Sequence, residues 1–203
     1  MNCFLSSWPY NTRDGILGMG RQMNRRAKTP EKKHELSDKQ LCRAAKQKPQ
    51  VRDAHMIRPS DVETAAWVPL KCRFGCDGYG RCLVCPPFTP SPEQMRKVLD
   101  SYHRAMLIHF QPEADVKATI ADLERGIFLR GAWKAFGLGA GPCYFCKQCP
   151  VEEALCRHPE RARPSMEACG IDVFTTVKKM GLPIEVVRTT RQCPNYYGLI
   201  LVD

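Results

Sequence analysis

Twelve of the 203 residues are cysteines, and eight of these fall into two groups. Cys143, Cys146 and Cys149 stand two residues apart, with Pro150 after the third, in the stretch CYFCKQCPVEEALC that ends at Cys156. An earlier stretch, CRFGCDGYGRCLVC, holds Cys72, Cys76, Cys82 and Cys85. Side chains so spaced converge on a small volume. Free thiols gain little from such crowding until a cation or a cluster deprotonates and binds them, so both groups read as metal ligands.

The run of three at x2 spacing is the part of a bacterial ferredoxin pattern that takes three corners of a cubane, the fourth ligand arriving from elsewhere. Zinc sites more commonly pair two Cys-x-x-Cys units across a longer span, so the second group favours an iron-sulfur cluster, [4Fe-4S], with zinc as the alternative. Cys156, Cys169 and Cys193 could each supply its fourth thiolate, and Cys156 is nearest in sequence. The first group, spaced x3, x5 and x2, offers a closed four-thiolate site that suits an iron-sulfur cluster and zinc equally.

A lone cysteine before a glycine, as at Cys169, reads as a small buried hydrophobe, and His109 and His158 read as hydrogen-bonded structural histidines. Yet CRHPERARPSMEAC is denser in polar groups than a helix start requires. It supports a second reading, a cluster-bearing reductase in which Cys169, His158, Arg163 and Glu167 line a small substrate pocket. Gly137, Gly139 and Gly141 read as a flexible turn ending a helix rather than a phosphate loop, since no strand is expected to feed directly into them, no helix clearly follows and the Walker lysine is absent.

The net charge of +10 is unevenly placed. Residues 1–60 carry 13 Lys and Arg against 5 Asp and Glu, while the remainder carries 18 against 16. A nucleic-acid reader would need its basic groups on the cysteine-bearing part, which is nearly neutral, and this argues against such a partner. A zinc-stabilised interaction module using the basic arm is the third reading. The start has no basic region followed by an apolar run, and no apolar stretch approaches membrane-spanning length, so a cytoplasmic protein with reduced or metal-bound thiols is expected.

Residues 1–50 read as a basic, flexible arm, with at most a loose helix from Ser37 to Lys46. Cys3 and Cys42 lie in it without ligand neighbours, and Met19, Met23 and Met56 are later possible starts. Residues 51–203 read as the metal-binding domain. Extended pieces are expected at Asp53–Ile57 and Thr64–Leu70, and the first cysteine group in a glycine-rich loop. Ser91, Pro92 and Gln94 form a capping-box start for a helix bearing Met95, Val98, Leu99 and Tyr102. Ala105–Phe110 reads as a buried strand, and Asp115–Phe136 as a long helix ending beside the second group. A helix with a break near Gly170 should run from Pro164 to Gly181, followed by strands at Ile184–Thr189 and Tyr196–Val202.

Four blocks carry a resemblance: LKCRFGCDGYGRCLVCPPFTPSPEQ, GIFLRGAWKAFGLGAGPCYFCKQCP, CRHPERARPSMEACGIDVF and YYGLILVD. Together they resemble the predicted metal-binding proteins of domain of unknown function 2284, over roughly residues 50–203. The resemblance implies metal binding and marks Cys72, Cys76, Cys85, Cys143, Cys146, Cys149 and Cys156 as family-type cysteines. Cys82 stands where family members often carry another residue. The expected protein is a single small α+β domain with a cysteine-rich metal-binding face, serving electron transfer or the redox support of a partner enzyme.

Overall fold

The computed structural model describes residues 36–189 and 191–203. Cys3, the early methionines and the basic run Arg21–Lys33 lie outside the described residues, as does Thr190.

The centre of the fold is β2 (Ala105–Phe110), whose six residues are all buried. Its side chains alternate between two apolar cores, with Ala105 and Leu107 in one and Met106, Ile108 and Phe110 in the other. A strand covered on both faces favours apolar residues throughout, which is why AMLIHF shows no polar alternation and its one polar side chain, His109, is hydrogen-bonded to Asn195. On one side β2 pairs antiparallel with β1 (Val51–Ile57), from Ile57 opposite Ala105 to Val51 opposite Phe110, with a bulge between Val51 and Asp53. On the other side it pairs antiparallel with β4 (Tyr196–Leu201), and β4 pairs antiparallel with β3 (Phe136–Leu138). The order is β1-β2-β4-β3, so the last strand is inserted between two earlier ones.

One face of the sheet is covered by α1 (Asp38–Lys46) and α4 (Val116–Phe128), through Leu41, Ala45, Ile120, Leu123 and Ile127. The other is covered by α3 (Pro92–Asp100), a short 3-10 turn at Glu167–Cys169 and α5 (Val173–Lys179), through Met95, Leu99, Cys169 and Val177. The protein is thus a single small α+β domain. No helix of the described residues is long and apolar enough to cross a membrane.

The helix at Ser91 forms with its full capping box. The helix beginning at Ser37 is not loose: Ser37 and Gln40 cap it reciprocally, and Leu41 and Ala45 are completely buried. It belongs to the folded unit, which runs from Glu35 to Asp203. Two buried side chains one turn apart were too thin a pattern to reveal this.

Three expected elements differ. Thr64–Leu70 is not an extended piece; Thr64 makes a single bridge to Ile171, and α2 (Val68–Gly75) starts at once because Pro69 suits a first helical turn. The long helix stops at Phe128, Gly131 turns the chain at φ 109°, and Phe136–Leu138 joins the sheet as its edge. At Ile184–Thr189 no strand forms; Ile184 packs into the core, while Val186 and Val187 are exposed.

Candidate metal centre

Both cysteine groups are carried on segments anchored to this scaffold at each end. The second leaves β3 at Gly139 and returns at Ser165, where a parallel bridge clasps the base of the loop. Gly139 N–H donates to the Pro164 carbonyl (2.8 Å), and Met166 N–H donates to the Gly139 carbonyl (3.0 Å). Arg163 ties the returning end to α4. Its Nε and Nη2 donate to Glu124 Oε2 and Oε1 at 2.6 and 2.7 Å, and its Nη1 donates to the Pro159 and Ala162 carbonyls at 2.9 and 3.0 Å. The same carboxylate accepts the Gly137 N–H at 2.8 Å.

The first group begins on α2, where Cys72 sits, and continues through a turn in which Gly80 N–H donates to the Pro86 carbonyl at 2.8 Å. Ala65 N–H donates to the Gly170 carbonyl (2.9 Å) and Asp172 N–H to the Glu63 carbonyl (2.8 Å), fastening the lead-in to α2 against the segment around Glu167.

These anchors bring the two groups side by side but divide them differently from their order in sequence. Cys72, Cys76 and Cys85 line one hollow of about 180 Å³, together with Glu167. Cys82 instead lines a narrow cleft of about 20 Å³ with Cys143, Cys146, Cys149 and Cys156. That cleft lies beside an open basin of about 750 Å³, which Cys82, Cys143, Cys146 and Cys149 also line. Cys82 sits at the seam, donating its thiol hydrogen to the Cys143 carbonyl (3.8 Å) beside the Cys85 thiol.

Backbone amides point at several sulfurs. Gly78 N–H donates to Cys76 Sγ (3.4 Å), Leu83 N–H to Cys149 Sγ (3.5 Å) and His158 N–H to Cys156 Sγ (3.4 Å). Burial raises the pKa values of Cys72, Cys85 and Cys156, and pushes Cys82 up to about 11 with neighbouring thiols adding to the effect. Such thiols stay protonated until a metal displaces the proton, so loading would release protons. Among the described residues, no three His, Cys, Asp or Glu side chains are gathered as a set for a single metal ion.

Beneath the groups lies Lys117 of α4, with 1% of its surface exposed. Its amine donates to the Arg163 carbonyl at 3.0 Å. Burial lowers its pKa, while the charges of Cys143, Cys85, Glu167 and Cys82 act in the opposite direction. Lys117 and Glu124 escaped the sequence reading. Their spacing with Ile120, at i, i+3 and i+7, was the signal that they share the buried face of α4.

The remaining candidates fall in varied places. Cys169 is inside the core, 1% exposed, with burial raising its thiol to about 12. Arg163 and Glu124 engage each other. The ring of His158 faces Phe145 and the Glu160 carboxylate, 3.9 Å from its Nδ1. Cys42 packs beside the core, and Cys193 is exposed away from both groups' linings.

A domain that presents converging thiols from two anchored loops belongs among metal-binding proteins. The family described as predicted metal-binding protein (DUF2284) matches residues 55–202, and the chain belongs to that family. No curated protein and no solved structure matches it.

Proposed function

We propose that the protein binds iron-sulfur clusters, most directly at the second group, and serves electron transfer or redox support of a partner protein. The observation that carries this reading is the lining of one cleft by five thiols, Cys82, Cys143, Cys146, Cys149 and Cys156, with backbone amides aimed at two of them. The donor set fits. The thiols stand round a wall rather than meeting at a point, and separated thiolates are what the corners of a cubane require, whereas zinc gathers its four about one ion.

A bound cluster would supply one-electron redox chemistry. The amides of Leu83 and His158 hold Cys149 and Cys156 in orientation and stabilise negative charge on sulfur, the same kind of hydrogen bond that tunes cluster potentials. Lys117 sets a buried amine near Cys143 and Cys82 of the same cleft. Seating a cluster requires the loop from Cys143 to Cys156 to spread, and that loop contains no helix or strand to resist it.

The test is iron, acid-labile sulfide and zinc per chain on anaerobically purified protein, with visible absorbance before and after dithionite. About four irons and four sulfides per cluster, bleached by reductant and restored by a one-electron oxidant, is the expected result. Zinc without sulfide would overturn the cluster reading. A cluster that does not cycle would remove the electron-transfer role.

A further inference from the structure

The hollow lined by Cys72, Cys76 and Cys85 has three thiols and not four, because Cys82 faces the neighbouring cleft. Into that three-thiol wall comes Glu167, from the 3-10 turn that packs against α2. Its Oε2 is shut off from solvent and has no hydrogen-bond partner. The Ser165 side chain and the Glu167 amide lie near enough to favour its charged form. Lys117 attracts the group electrostatically, but its amine is bonded to the Arg163 carbonyl.

A sealed carboxylate oxygen without a partner is costly, and buried charges in proteins are paired or coordinate metals. Burial accordingly raises the Glu167 pKa. The surroundings also restrain it. The Cys72 thiol lies 3.9 Å from the Glu167 carbonyl, and Gly170, directly after the turn, is pressed against Pro92. Gly78 lies close to two of the sulfurs: a Cβ there would stand 3.1 Å from Cys85 Sγ and 3.6 Å from Cys76 Sγ.

We propose that Cys72, Cys76, Cys85 and Glu167 form a second centre, in which the Glu167 carboxylate holds the fourth iron of an iron-sulfur cluster. The proposal rests on the iron-sulfur reading above and goes beyond it in assigning a distinct site and an oxygen ligand. A carboxylate is a harder and weaker partner for cluster iron than a thiolate. The iron it holds is therefore the exchangeable one, lost first to chelators. The Glu167 side chain acts on the cluster by ligation and takes no part in the second group's cleft.

The experiment uses full-length protein reconstituted anaerobically with iron and sulfide. In a Cys143→Ser/Cys149→Ser background the second group is disabled, so any remaining cluster reports the first. Iron and sulfide contents and the electron paramagnetic resonance spectrum are compared for Glu167, Glu167→Gln, Glu167→Ala and Glu167→Cys, with a thermal melt to verify folding. The expected result is a cluster with Glu167, a three-iron or depleted cluster with Gln and Ala, and a restored cluster with an altered spectrum and slower iron loss to chelator with Cys. Unchanged iron content and an unchanged spectrum across all four would overturn the ligand assignment while leaving the iron-sulfur reading intact. Absence of sulfide from the otherwise wild-type protein would overturn both.

Discussion

Arg163 and Glu124 meet through two parallel hydrogen bonds, 2.6 and 2.7 Å long, with the residues 8% and 7% exposed. The guanidinium also gathers the carbonyls of Pro159 and Ala162, so a single side chain joins the end of the second cysteine loop to α4. Arg163 therefore acts as a structural anchor in a place where the sequence admitted a substrate-binding role.

Removing one partner leaves the other buried without its counter-charge. Glu124→Gln should destabilise the fold by roughly 3–5 kcal/mol, and Arg163→Met by a similar amount, as measured by urea unfolding. A double variant, Glu124→Gln with Arg163→Met, should lose clearly less than the sum. Independent, additive losses would show that the pair is not coupled.

Cys82 and Cys85 are close in sequence yet line different cavities. Cys82→Ser should lower the metal content of the second group and spare the first; Cys85→Ser should do the reverse. Iron counts on each variant, combined with Cys146→Ala or Cys72→Ala, separate the two. Equivalent behaviour of both variants in all backgrounds would mean one shared centre.

Lys117 places a buried cation below thiols of both groups. With clusters bound, the reduced state carries one more negative charge and is favoured by that cation. Lys117→Gln should therefore lower the reduction potential, by on the order of tens of millivolts through a partly screened field. A redox titration monitored by visible absorbance reads the shift, and an unchanged or raised potential would contradict it.

His109 is buried on β2, with its ring stacked on Tyr197 and its Nε2 donating to Asn195 Oδ1 at 2.9 Å. Burial lowers its pKa below the ordinary 6.5; the Asn195 bond and Asp53 oppose this, while Arg52 and His55 reinforce it. The unfolded chain thus takes up the proton first as pH falls. Stability should decline below about pH 6.5 and level off once pH passes the folded value, with a slope of at most about 1.4 kcal/mol per pH unit. Urea midpoints of the wild type and His109→Asn, measured from pH 8 to 5, should show this component flattened in the variant.

Gly170 has φ 75°, and a Cβ there would stand 2.5 Å from Pro92 Cγ and 2.9 Å from its Cα. Gly170→Ala combines left-handed strain with a clash against the start of α3. The expected loss is roughly 2–4 kcal/mol in urea unfolding, accompanied by weaker metal retention at the first group, because the Glu167 turn is displaced. A variant of native stability would show that the turn and α3 separate easily.

The covalent pattern of the chain determined much by itself. Proline after serine with glutamine three residues on wrote the start of α3, because capping is local chemistry. A run of five apolar residues broken only by His109 wrote β2, because a strand covered on both faces has no solvent side. The cysteine spacings, and the family-type blocks around them, wrote metal binding. What needed the tertiary structure was whatever depends on partners distant in sequence. Phe136 read as the last residue of a helix and Gly137–Leu138 as the turn after it, yet the three became a strand, since β4 offered its edge some sixty residues later. Pro69 began a helix where an extended piece was expected, and the packing of that helix against the Glu167 turn set Cys72 beside a carboxylate. Cys82 changed sides for the same reason: sequence order fixes which thiols are near along the chain, but loops clasped at both ends decide which sulfurs face one cavity. The buried Lys117 and the Arg163–Glu124 pair were equally hidden, since the desolvation that makes a charge informative exists only once the elements have packed.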